Sequence, residues 1–218
     1  DLNHTLLSKL VDVAREKIKA MEACYFFLDE IQNVEGFEKW LHVQLERPKK
    51  NYFVVTGSNS CLLSGEFSTT LTGRHISLDL YPFSLKEYLT LFPKRKLRDY
   101  LLTGGFPRPL TFENPQQLLQ DYFNDIILRD VLKRVHARSP DTVKIVAKMA
   151  FESSGSELSF RKIAAVTGIS VDTVKSYLSA CEQAYLLFSC PFFAFSEKQR
   201  LSRQKKYYAI DAGLRRSV

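Results

Sequence analysis

The chain has 218 residues, of which 45% are hydrophobic and 25% charged, with a formal net charge of +7. That length can bury one or two cores, and the cationic balance favours phosphate-bearing partners over acidic surfaces of its own kind. No apolar run reaches membrane-spanning length and no secretory pattern opens the chain, so a cytoplasmic globular protein with no membrane partner is expected.

Residues 1–21 read as one helix, with Leu6, Leu7, Leu10, Val11, Ala14 and Ile18 at helical spacing. Cys24 to Leu28 is an apolar strand that stops at Asp29 and Glu30. A buried strand opens at its carboxyl end into the ligand crevice of an α/β sheet. There Asp29 can hold Mg²⁺ through its water shell and Glu30 can orient an attacking water. The plainer alternative is a strand followed by an acidic helix start. A crossover helix over Gly36 to Leu45 leads to a second strand, Asn51 to Val55, which runs into Thr56-Gly57-Ser58-Asn59-Ser60. This is a βαβ unit with parallel strands, and it sets hydroxyls and an amide at the same edge as the two acids. A third strand is expected over His75 to Leu80. Arg74, just before it, can bridge to a phosphate, or is a solvated surface arginine.

The middle of the chain reads as helices. Ser84 caps one that ends near Phe92, and Lys94 to Leu102 stops at Gly104-Gly105. Pro115 to Val135 forms a long amphipathic lid with Arg129 and Asp130 in its middle, and Asp141 to Phe151 follows. The cluster Lys94-Arg95-Lys96-Leu97-Arg98 suits a solvated face. Ser159 to Val166, a turn through Gly168, and Val171 to Leu187 capped by Ser170 give a helix-turn-helix. Strands over Phe188 to Phe195 and Lys206 to Ile210, with a basic wing over 197–204, complete a winged helix. On DNA, Asp172, Thr173, Lys175, Ser176 and Ser179 would face the major groove, with wing cations such as Arg200 and Arg203 on phosphates. The alternative is a protein-contacting lid, since the second helix has no arginine to read guanine. The four cysteines lack metal-site spacing and read as reduced thiols; the four histidines are scattered.

Phe27-Leu28-Asp29-Glu30-Ile31-Gln32-Asn33, Thr56-Gly57-Ser58-Asn59-Ser60, Leu71-Thr72-Gly73-Arg74 and Tyr81-Pro82-Phe83-Ser84-Leu85 occur in that order. Gly104-Gly105-Phe106-Pro107, Tyr122 to Asp130 and Tyr207 to Arg215 follow. Together they resemble the prokaryotic AAA-type P-loop ATPases that carry a C-terminal domain of unknown function. The resemblance implies that Asp29 and Glu30 are the Walker B acids and Asn59 (or Ser58) the sensor. It also implies that Arg74 lies near the nucleotide and Pro107 touches adenine, with ATP and Mg²⁺ as cofactors. It further implies a following α/β domain with a nuclease-like look.

The chain departs from that pattern in one respect: no G-x-x-x-x-G-K-[ST] occurs in it. The expected architecture is therefore α/β, with a partial P-loop core over 1–92, a helical lid over 93–154 and a winged helix-turn-helix over 155–218. The expectation is a fragment of an ATPase that does not hydrolyse ATP by itself, while its parent does so and moves the winged helix. The alternative is a DNA-binding or scaffold protein with a degenerate ATPase core. An incomplete sheet would also leave an edge prone to self-association.

Overall fold

A computed structural model describes residues 3–18, 23–47, 51–57, 73–135, 137 and 139–218. The chain is helix-rich mixed α/β and divides into two compact units, residues 1–79 and 80–218.

In the first unit, α1 (His4–Lys17) starts at Asn3, whose side chain accepts from the N–H groups of Thr5 and Leu6. Strands β1 (Cys24–Leu28) and β2 (Asn51–Val55) pair in parallel, Cys24 beside Asn51 and Leu28 beside Val55. The crossover between them is α2 (Phe37–Glu46). Alternation along the strands points Phe26, Leu28, Phe53 and Val55 at Leu7, Val11, Ile31, Phe37, Trp40 and Leu41, which form the core. Trp40 Nε1 donates to Ser8 Oγ at 2.9 Å and ties the two helices together.

Among the described residues of the first unit, no helix packs on the opposite face of the sheet. Tyr25 is 65% exposed, Phe27 75%, Tyr52 49% and Val54 47%. The sequence predicts strands buried between helix layers, yet among the described residues both helices lie on one face. Gln44 of α2 is buried with neither its amide oxygen nor its nitrogen hydrogen-bonded. An orphaned buried amide costs free energy that a thioether of the same length does not. Gln44→Met should therefore raise the urea midpoint by the equivalent of about 1 kcal/mol.

The third strand expected over 75–80 does not form. Its alternation is correct for a strand face, but Ile76, Leu78 and Leu80 are 89%, 85% and 90% exposed. A strand needs a ladder partner, and none of the described strands offers one.

The second unit opens with α3 (Leu85–Leu91), started by a full capping box in which Ser84 and Glu87 exchange bonds. Then come α4 (Leu97–Thr103) and α5 (Pro115–Ile126). The long helix predicted to reach Val135 changes pitch: Ile127–Val131 is a π turn, with Leu132 N–H donating to the Ile127 carbonyl at 2.9 Å. This turn buries Ile127 and Val131 together. Helix α6 (Pro140–Glu152) packs Val143, Val146 and Ala147 into the same core as Leu178, Leu187 and Leu214.

Helices α7 (Phe160–Thr167) and α8 (Val171–Gln183) are joined by a three-residue turn. Gly168 adopts φ +69 there, and Ser170 caps α8 by accepting from Thr173 N–H. The hairpin of β3 (Leu187–Cys190) and antiparallel β4 (Lys206–Ala209) completes the unit before α10 (Ala212–Ser217). Strand β3 is half as long as expected because Pro191 has no N–H to continue the ladder. Residues 197–202 of the expected wing form a short helix, α9 (Glu197–Ser202). Among the described residues no helix is long and apolar enough to cross a membrane.

Candidate functional site

The carboxyl ends of β1 and β2 are locked together by one side chain. Thr56 N–H donates to the Leu28 carbonyl at 2.9 Å, and Ile31 N–H donates to the Thr56 carbonyl at 3.1 Å. The Thr56 hydroxyl accepts from Glu30 N–H at 3.1 Å and donates to Asp29 Oδ1. A hydroxyl can do both at once. The two acids are thus held by a residue from the neighbouring strand, and both carboxylates face solvent at the sheet edge.

Glu30 pays conformationally for its place: φ is +50, in the left-handed region that costs a β-carbon-bearing residue about 1–2 kcal/mol. Its Oε2 accepts from Gln32 Nε2 at 2.5 Å. Strain of this kind on a non-glycine residue persists only where the surrounding bonds hold it, here those of Thr56 and Gln32. Glu30→Gly should relieve it and stabilise the first unit by about 1 kcal/mol in urea, after allowing for glycine's greater unfolded freedom.

The donor set fits a hard cation bound mainly by its own waters and by a ligand's phosphates: one exposed carboxylate, Asp29, beside a hydroxyl. Among the described residues no group of three or more His, Cys, Asp or Glu could form an all-protein metal cage.

Other predicted site residues lie elsewhere. Arg74 reaches Glu46 Oε1 and His42 Nδ1 at 3.1 Å each, in the last turns of α2. A crossover helix runs back along the sheet, so those turns lie at the end opposite Asp29 and Glu30. Ser58 and Asn59 lie outside the described residues. Thr56 was legible only as one of several hydroxyls at the edge, and its double bond to the acids was not.

Pro107 belongs to the second unit, where it opens a turn over Arg108–Thr111. The glycines before it hold close backbone crossings. A β-carbon on Gly105 would lie 2.3 Å from the Phe83 carbonyl oxygen, and one on Gly213 2.3 Å from that of Thr103. Phe83 N–H donates to the Gly105 carbonyl at 2.8 Å, and Tyr100 Oη donates to the Phe83 carbonyl at 2.8 Å. Asp211, nearly fully buried, accepts from Gly105 N–H at 2.6 Å and from Leu214 N–H at 2.8 Å. Burial pushes this carboxyl up, against the backbone donors that pull it down. The Cys181 thiol, also buried, is pushed up to about 12 and is inert as a nucleophile.

On α8, Thr173 is half-buried with its hydroxyl 2.8 Å from that of Ser170, and Lys175 pairs with Asp172 at 3.0 Å. Ser176 is exposed. Arg200 lies 3.8 Å from Glu197, and the Arg203 guanidinium lies 5.4 Å from the Phe192 ring centre.

Comparison with known proteins places these features. Residues 1–89 match the model of an AAA domain, and residues 94–218 match that of a domain of unknown function (DUF8612). An uncharacterized protein of Haemophilus influenzae is 32% identical over 90% of this chain and 53% of its own length. An uncharacterized protein of Methanocaldococcus jannaschii is 28% identical over 94% of this chain and 51% of its own. The chain thus spans about half the length of the curated relatives it matches. No solved structure matches it significantly. The second model covers more than half of the chain, which therefore belongs to the family defined by that domain of unknown function, while its first 89 residues are related to AAA-type P-loop ATPases.

Proposed function

We infer that the first unit is the hydrolytic edge of an ATP site. In it Asp29 would hold Mg²⁺ through its water shell, and Glu30 would orient and polarise a water toward the γ-phosphate. The observation that carries this reading is Thr56, which fixes both acids at the end of a parallel strand pair at the cost of backbone strain in Glu30. Bound Mg²⁺ would neutralise charge on the phosphates. Glu30 accepts a proton from the water at a carboxylate oxygen, and Gln32 fixes the rotamer from which it does so.

The loop that cradles the phosphates is, on this reading, supplied by protein outside these 218 residues. Two observations favour that. The relatives are about twice as long, and among the described residues of the first unit only one sheet face is covered by helices. A parallel sheet is normally covered on both faces, so an added helix would use the vacancy. Asn59 as sensor of the γ-phosphate, Arg74 and Pro107 near the nucleotide, and a winged helix built from α7, α8 and the β3–β4 hairpin remain parts of the same proposal. The placement of Arg74 on α2 weighs against its share.

The test is MgATP binding and turnover, measured on the 218-residue chain and on the longer protein this reading implies, each with and without Glu30→Gln. Turnover confined to the longer protein and removed by Glu30→Gln supports the reading. Absence of nucleotide binding in both overturns it in favour of a scaffold core.

A further inference from the structure

The helix-turn-helix and the hairpin beside it differ in what they offer a nucleic acid. The outer face of α8 is electrically spent: its lysine, Lys175, pairs with Asp172, Ser176 and Ser179 follow as exposed hydroxyls, and the exposed amide at its end, Gln183, already accepts from Arg134 at 3.1 Å. A duplex-reading helix needs cations or amides aimed at base edges, and α8 offers little of either.

The hairpin is different. In the antiparallel register Phe188 lies opposite Tyr208, and both rings stack on the outward face at 5.2 Å and 13°. The chain leaving β3 adds Phe192, Phe193 and Phe195, which are 48%, 78% and 98% exposed. Between Phe188 and Lys206 stand five cations, Lys198, Arg200, Arg203, Lys205 and Lys206, against one acid, Glu197. All five are exposed. Arg203 lies over the Phe192 ring in a cation–π contact, which holds one of these cations beside the aromatic run.

Exposed rings that pack chiefly on one another, Phe188 on Tyr208 and Phe193 on Phe195, beside a surplus of cations suit a flexible polyanion that carries its own flat rings. We propose that the outward face of the β3–β4 hairpin, with Phe192, Phe193 and Phe195, is a stacking platform for a single-stranded polynucleotide. Its bases lie on the phenylalanine rings and its phosphates run along the cations of residues 198–206. Duplex is disfavoured because its bases are already stacked and expose no faces to the rings. This site involves none of the residues assigned to ATP, so it stands or falls separately from that reading.

The test is fluorescence anisotropy on the nucleotide-free 218-residue chain across a salt series. The probes are oligothymidylate and oligouridylate of about sixteen nucleotides, the upper range for one such module, and a duplex of the same length. The expected result is binding of one or both single strands at least tenfold tighter than the duplex. The stronger of the two shows whether DNA or RNA is preferred. The double substitution Phe193→Ala/Phe195→Ala should weaken it about tenfold or more without changing the salt slope, because stacking releases no counterions. Lys205→Ala/Lys206→Ala should instead flatten the slope by about 0.7 for each phosphate that is no longer neutralised. Both pairs are exposed, and a thermal melt checks that each variant stays folded. Equal or tighter duplex binding, full affinity in the phenylalanine variant, or no binding at low salt each overturns the proposal.

Discussion

Glu30→Gln should lower ATP turnover in the longer protein by about 10²- to 10⁴-fold while leaving MgATP affinity nearly unchanged. The amide keeps the size of the side chain and can keep one bond with Gln32, but it cannot take a proton from water at neutral pH. On the proposed reading binding is spared, because Glu30 would act on the water and not on the phosphates. Asp29→Asn should do the reverse in part, raising the Mg²⁺ concentration needed for half-maximal turnover, since a neutral amide holds a hydrated cation poorly. Thr56→Val separates positioning from chemistry. It removes the bonds to both acids at nearly constant volume, so kcat should fall about tenfold or more while the pH profile keeps its shape. Single-turnover and equilibrium binding measurements on the same samples check all three. An unchanged rate in Glu30→Gln would remove the acid from the mechanism.

The second large effect concerns stability. Gly105→Ala should destabilise the second unit by about 3 kcal/mol, since the new methyl meets backbone that cannot rotate away. Gly168→Ala is the control: nothing lies within 4 Å of its β-carbon, so only its φ of +69 is penalised, at about 1 kcal/mol. Asp211→Asn probes the same crossing from the other side. One of the two carboxylate oxygens becomes an NH₂ facing a backbone donor, which orphans Gly105 or Leu214 N–H at about 2 kcal/mol.

The cost of Asp211→Asn should also depend on pH. Burial holds the folded-state value of Asp211 above the ordinary 3.8, so its contribution is fully present below 3.8 and is lost as pH rises through the raised value. The penalty of Asp211→Asn should therefore grow on acidification. Glu87 runs the other way. Its bonds with Ser84 lower its value, so its contribution is present above 4.5 and is lost as pH falls through the lowered value. It is common to both proteins and cancels in the difference between urea midpoints measured from neutral to acid pH.

Strands β1 and β2 and the acids that end β1 were legible because an apolar β-rich run halted by charge has a direct physical reading. The grip of Thr56 on those acids was not, because it joins residues 26 and 27 positions apart through one hydroxyl. His75 to Leu80 shows the converse: its alternation reads as a strand, but a ladder is a property of two segments, and none of the described strands pairs with this one. The end of β3 was written in the sequence at Pro191, and the aromatic run after it masked the signal. Asp211 follows the last strand with no motif around it that marks it out. Its burial against Gly105 depends on a crossing that no local pattern announces. The basic wing was seen as charge alone, whereas in the structure the exposed phenylalanines beside it give that charge its context.

The bond between Gly105 and Asp211 spans 106 positions, and that between Gln120 and Ser217 spans 97. On the ribosome these pairs cannot meet until the later member has left the exit tunnel. At about 5–20 residues per second, α3, α4 and the Gly104–Gly105 turn wait roughly 5–20 s for Asp211 to be synthesised. During that interval α3 and α4 can pack on each other through Tyr88 and Tyr100, but α4 still lacks α10, the later helix it rests against. The second unit therefore closes as one of the last events of its own translation, and a pause there prolongs the stage at which a holding chaperone would find it.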